Sequence, residues 1–306
     1  MKKILVLGGS GFLGSHVVNI LKKRGFSVVS LSRKEGCDIR RYDEFKKFLS
    51  DVGPDVIINC AAHVGSVHYA LQYGADMIRD NTWIAMNMYQ AVAETCPSVK
   101  IINPLSNCSY PGNSDVQVED HWESGSIHET VLPFGSVKRL LYAFSESYRR
   151  QYGVQTVNWI IANAYGPGDY CDPTKTHALN GLIVRLIHAK RSGEKTFEIW
   201  GSGAPIREWV YIQDVAKIMV DSLENEDQGH PINFAQRKGH TITEIAAISA
   251  QMLNYSVTFT FNTAYPDGDP VKILDDRVFR GKYPLFQFTD IKEGIKETIR
   301  YYESVL

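Results

Sequence analysis

The stretch KILVLGGSGFLGSHVVNIL, residues 3–21, decides the fold. Ile4 to Leu7 is an apolar run bounded by glycine, the length of a buried strand and too short for the apolar core of a signal peptide. Gly8, Gly11 and Gly14 follow at the spacing G-x-x-G-x-x-G, and GFLGSHVVNILKKRG behind them reads as a helix. Glycine permits a tight turn and lets backbone amides approach a pyrophosphate at a helix N-terminus. The same glycines could serve only to pack helix on strand. The strand–turn–helix context favours a dinucleotide site formed by Gly8, Ser10, Gly11, Phe12, Leu13 and Gly14.

Working outward, strand-like and helix-like segments alternate: SVVSLS, RRYDEFKKFLSDVG, PDVIINCAA, NTWIAMNMYQAVAETC, VKIINPLS, GSVKRLLYAFSESYRRQYG and VQTVNWIIANAYGP. Short apolar runs bounded by Gly, Pro or Asp are the pattern of buried parallel strands. The expected fold is α/β, a Rossmann-like doubly wound parallel sheet with a second, smaller α/β lobe. The expected boundaries are 1–165 for the dinucleotide-binding part, with segments at about 207–235 returning to it, and 166–306 for the substrate lobe. Loops around 166–176 and 262–270 should cap a cleft. No internal repeat or low-complexity segment is visible.

Composition narrows the partners. With 33 basic and 34 acidic residues among 306, the net charge is -1, and no field draws the chain to nucleic acid or a membrane surface. Small molecules or a second copy remain. Cys37, Cys60, Cys96, Cys108 and Cys171 show no paired spacing, as expected of free thiols in a reducing cytoplasm. No segment is long and apolar enough to span a bilayer.

The second strand selects the cofactor. An NAD site places Asp or Glu there to bind the ribose 2′-hydroxyl. This chain has Ser32, Arg33 and Lys34, with no acid before Glu35. A hydroxyl and two cations suit a 2′-phosphate, so NADP is expected over NAD. Asp38, followed by Ile39, could reach the adenine amino group.

GGSGFLG, AAHVGS, SNCSYP, FGSVK, NAYGPGD, THAL, WGSGAPIREWVYIQDVA and PDGDPVKILD together resemble the extended short-chain dehydrogenase/reductase family. Within it, the chain is most similar to the GDP-4-keto-6-deoxymannose 3,5-epimerase/4-reductases. The resemblance covers nearly the whole chain, and the last four motifs are the specific ones. It implies a reductase/epimerase of a GDP-linked 4-keto-6-deoxy sugar, hexose or heptose. Ser106 then matches the hydroxyl on the carbon-4 oxygen, and Lys138 the lysine on the nicotinamide ribose. Cys108 and His177 match the pair that moves protons at the carbons flanking the keto group. Ala61, Ala62 and Asn163 fall on the cofactor side, and Arg185, Trp200, Arg207, Asp267 and Lys272 on the nucleotide and diphosphate. No metal is implied. The family's helices equivalent to residues 81–96 and 134–152 pair across a dimer, so a homodimer is expected. The chemistry is sound on its own terms, because a 4-keto group acidifies the C–H bonds on either side. A dehydratase would carry an Asp-Glu pair after the fourth strand, where this chain has LSNCSYP.

Phe134 departs from the pattern. The family has tyrosine there, the general acid that protonates the carbonyl oxygen, four residues before Lys138. Phenylalanine keeps the ring and loses the proton, a loss of about 10²- to 10⁴-fold in rate. Two accounts fit: a reductase silenced by one substitution, or a native phenylalanine in an epimerase without net redox or a non-catalytic binding protein. A single change in an otherwise complete constellation favours the first.

Overall fold

The computed structural model describes residues 2–33, 36–112, 116–172, 174–225 and 229–306; Lys34 and Glu35 lie outside them. The first half runs β1 (Lys3–Leu7), α1 (Phe12–Lys23), β2 (Ser27–Leu31), α2 (Tyr42–Val52), β3 (Val56–Asn59), α3 (Val67–Thr95), β4 (Lys100–Ser106), α4 (Leu132–Tyr152) and β5 (Gln155–Ile161). The second half runs β6 (Asn163–Tyr165), α5 (Ala178–Arg191), β7 (Thr196–Trp200), β8 (Ile206–Tyr211), α6 (Ile212–Asp221), β9 (Ile232–Phe234), β10 (Gly239–Thr241), α7 (Ile242–Met252), β11 (Thr258–Asn262), β12 (Val271–Lys272), α8 (Arg277–Lys282) and α9 (Ile291–Val305).

Six parallel strands in the order β2-β1-β3-β4-β5-β9 form the main sheet. Ile4 to Leu7 are fully buried because helices cover both faces, as in a Rossmann-like α/β fold. The chain leaves β1 toward β2 and returns on its other side at β3. That reversal opens a crevice at the carboxyl ends of these strands, the usual ligand position in such sheets. Gly8 sits at φ +74, and a Cβ there would lie 2.7 Å from the Cys60 carbonyl group; a Cβ on Gly14 would lie 2.1 Å from the Gly8 oxygen. Only glycine lets α1 and β3 close on this turn.

A smaller sheet places β8 between β10 and β12, with β6 also on β8, while β7 pairs with β11. Its own core gathers Leu179, Ile183, Ile187, Phe197, Ile199, Ile245 and Ile299 from β7, α5, α7 and α9.

Two segments depart from the sequence reading. The helix expected near Asn81 begins at Val67, capped by Ser66 Oγ accepting from the Tyr69 amide at 3.1 Å, and bends at Tyr73. Its first turns expose Val67, Leu71 and Ile78, so no inward apolar stripe announces them. The single strand expected over 154–167 divides at Ala162. Its second part, β6, leaves the main sheet for β8, where Asn163 Nδ2 donates to the Glu208 carbonyl at 2.8 Å.

Candidate active site

The glycine turn presents Ser10 and Gly11 to solvent at the start of α1, with Phe12 and Leu13 half-buried. Gly11 caps α1 without a side chain, which keeps the helix N-terminus open to an anion. At the end of β2, Ser32 Oγ is buried with no partner among the described residues, and Arg33 beside it is exposed. An orphaned hydroxyl next to a cation fits a 2′-phosphate, so the residues present suit NADP. Asp38, expected on the adenine, already has both oxygens on Arg40 at 2.6–3.1 Å. Those hydrogen bonds hold its carboxyl below the usual carboxylate range. Ile39 packs into the core, and its carbonyl accepts from Asn87 Nδ2 at 2.8 Å. Ala61 is half-buried and Ala62 exposed just past β3. The Asn163 amide joins β6 to β8, as described, and that use was not anticipated.

Ser106 ends β4, and its Oγ accepts from the Cys108 amide at 3.2 Å, setting the tight turn that carries the thiol. Phe134 lies half-buried in the first turn of α4. One turn further, Lys138 points inward: Nζ donates to the Pro104 carbonyl at 2.7 Å and lies 5.2 Å from the Phe134 ring centroid. Burial pushes Lys138 down to about 8, against the opposing pull of the Cys60 and Cys108 thiols. Arg207 also has Cys108 within electrostatic reach, together with Asp269 and Asp267. Ser106, Cys108, Phe134, Lys138 and Arg207 thus converge at the carboxyl end of β4.

His177 precedes α5, its ring tilted against Phe12 of the glycine turn at a centroid distance of 5.2 Å. Its Nδ1 lies 2.9 Å from Asp169 Oδ2. Burial disfavours the charged ring, but the Asp169 charge and hydrogen bond outweigh it and hold the pKa above the ordinary imidazole value. Asp169 stands in NAYGPGD, where nothing local assigns it a role. Its signal was an acid eight residues ahead of a candidate histidine, which only the 166–176 loop closes.

The second lobe supplies the remaining set. Arg207 on β8 and Lys272 on β12 stand in register. Arg207 Nη2 donates to the Asp267 carbonyl at 3.2 Å, while Asp267 Oδ1 accepts from the Ser202 amide at 2.7 Å. Arg185 lies 4.0 Å from the Trp200 ring centroid, and Trp200 stacks on Tyr265 at 4.9 Å. Trp200 is 39% exposed, which removes the core-filling role its residue type suggests. Glu208, also missed, is wholly buried and accepts the Gln236 and Leu274 amides, tying β8 to the segments after β9 and β12. Burial pushes its carboxyl up to about 7.

Known proteins resemble the chain along nearly its whole length. The chain is 28% identical over 307 residues to a probable GDP-L-fucose synthase 1 of Oryza sativa subsp. japonica, covering 98% of this chain and 92% of that one. It is 26% identical to the GDP-L-colitose synthase of Yersinia pseudotuberculosis, covering 98% and 97% of the two chains. It superposes on the crystal structure of a GDP-L-fucose synthetase from Naegleria fowleri bound to NADP with a TM-score of 0.90, at 26% identity and covering 99% and 93% of the chains. The glycine turn, the β4 cluster and β9 all fall within residues 4–235, which match the model of one family, and the chain belongs to it: the NAD dependent epimerase/dehydratase family.

Proposed function

We propose that this protein is an NADP(H)-dependent reductase/epimerase of a GDP-linked 4-keto-6-deoxy sugar, acting as a homodimer in the cytoplasm. The observation that carries the reading is the convergence of Ser106, Cys108, Lys138 and Arg207 at the carboxyl end of β4. Sugar nucleotides named for fucose and colitose in the relatives support GDP as the carrier. Five free thiols suit a reducing compartment.

NADPH, when bound at the glycine turn, supplies hydride for the 4-keto carbon. The chain's own residues bind and move protons. Ser106 Oγ hydrogen-bonds the keto oxygen, and Lys138 holds the nicotinamide ribose. Cys108 and His177 take and return protons at the flanking carbons. Arg207, Lys272 and Arg185 bind the diphosphate and the base side, Arg207 by its two-pronged guanidinium. Phe134 offers no proton to the oxygen. Reduction by this chain is therefore slow, while proton exchange beside the keto group continues.

The test uses a GDP-4-keto-6-deoxy sugar with the chain and with Phe134→Tyr. NADPH absorbance should show reduction at least about 10²-fold faster in Phe134→Tyr, the scale of one general acid. Deuterium from D₂O should enter the sugar with both proteins and fail to enter with Cys108→Ser. Equal reduction rates in the two forms would show that another group delivers the proton.

A further inference from the structure

We propose that Asp169 is a positioning residue for proton transfer at the sugar: it fixes the tautomer of His177, so that Nε2 is the nitrogen that exchanges protons with substrate. This rests on the reading of function above.

Asp169 Oδ2 receives four donors: Thr176 Oγ1, the His177 amide at 2.8 Å, His177 Nδ1 at 2.9 Å and Asn180 Nδ2 at 3.0 Å. Its side chain is 1% exposed and that of His177 is 31% exposed, so the carboxylate is sealed while the imidazole keeps an open side. A carboxylate held by this many donors stays ionised, and its pKa lies well below the usual range. Facing that anion at 2.9 Å, Nδ1 must carry hydrogen. The His177 amide binds the same oxygen and holds the backbone in place, so the ring cannot rotate without breaking the Nδ1 contact. Asn180 Oδ1 also accepts the Gly166 amide at 3.0 Å, which anchors the loop that carries Asp169.

The proton balance follows. Cys108 thiolate takes the proton from a carbon beside the ketone, and the C–H electron pair moves into the enolate. Imidazolium Nε2–H then gives a proton to the opposite face, leaving neutral imidazole and an inverted carbon. Solvent exchange resets both groups.

Other titratable groups stand near the pair, and the Cys108 thiol of the same proton step lies across the site. Tyr301 and Tyr302 of α9 are pushed up by burial, and Cys171 is a thiol of the same loop. Asp172 and Lys175 are exposed and face each other at 4.0 Å. His16 of α1 holds the Pro167 carbonyl at 2.8 Å, and burial lowers its pKa.

The experiment is deuterium exchange into a GDP-4-keto-6-deoxy sugar across pH, for the chain and for Asp169→Asn. Exchange that uses the imidazolium falls as pH rises through the His177 pKa. In Asp169→Asn that limb should move to lower pH, and the rate at pH 7 should fall about 10²-fold. Asp169→Glu should restore part of it. Superimposable profiles would overturn the proposal. If the unsubstituted chain shows no exchange at all, the reading of function fails instead. Should Asp169→Asn not fold, ¹⁵N spectra of the unsubstituted protein, taken where the His177 ring is neutral, decide: hydrogen on Nδ1 with a bare Nε2 supports the proposal, and a bare Nδ1 overturns it.

Discussion

Lys138 is held charged in a place that disfavours charge. Its pKa falls from 10.5 to about 8, and at 1.36 kcal/mol per unit the buried ammonium costs about 3 kcal/mol at neutral pH. Leaving the Pro104 carbonyl without its donor would give back about 1 kcal/mol. We therefore expect Lys138→Met to raise stability by about 2 kcal/mol at pH 7 while weakening NADPH binding, read by thermal melts and fluorescence titration. The sign with pH is definite: between about 8 and 10.5 the unfolded chain holds a proton that the folded chain does not. The native protein should gain stability as pH rises through that window, and Lys138→Met should not. Lys138, Ser106 and Cys108 were legible in the sequence because each stands in a short local motif. Asp169 and Glu208 were not, since their roles depend on burial and on partners from distant segments.

At the scale of elements, α3 and α4 leave large apolar side chains uncovered. Ile78, Trp83 and Met86 of α3 and Leu132, Leu140 and Tyr152 of α4 are each between 37% and 49% exposed. Exposed apolar side chains of this size suit an interaction surface, and the proposed homodimer would cover part of them. Met86→Glu with Leu140→Glu should halve the mass seen by light scattering and leave the circular dichroism unchanged. A mass that stays dimeric would move the interface elsewhere. The same exposure explains what the sequence hid: a helix whose first turns face outward has no periodic stripe toward the core, so its start could not be seen. Strands of the main sheet were legible for the opposite reason, each being an unbroken apolar run sealed on both faces.

Over the whole molecule, the residues proposed to bind the two ligands are divided. The glycine turn and Ser32 belong to the main sheet, whereas Arg207, Lys272, Arg185 and Trp200 belong to the smaller lobe. Arg207→Met should raise the KM for the sugar nucleotide at least about tenfold, the loss of a charge-assisted hydrogen bond or two, and leave NADPH affinity unchanged by calorimetry. Equal losses of both ligands would mean the two parts bind as one. The order in which the strands are made has a further consequence, for synthesis on the ribosome. β9, which completes the main sheet beside β5, begins at Ile232, while β5 ends at Ile161. At about 5–20 residues per second, a nascent chain waits roughly 4–14 s with the β5 edge that faces away from β4 unpaired. During that interval the newborn sheet offers a raw edge to any neighbouring strand, and the chain closes it only after much of its second lobe has already left the ribosome.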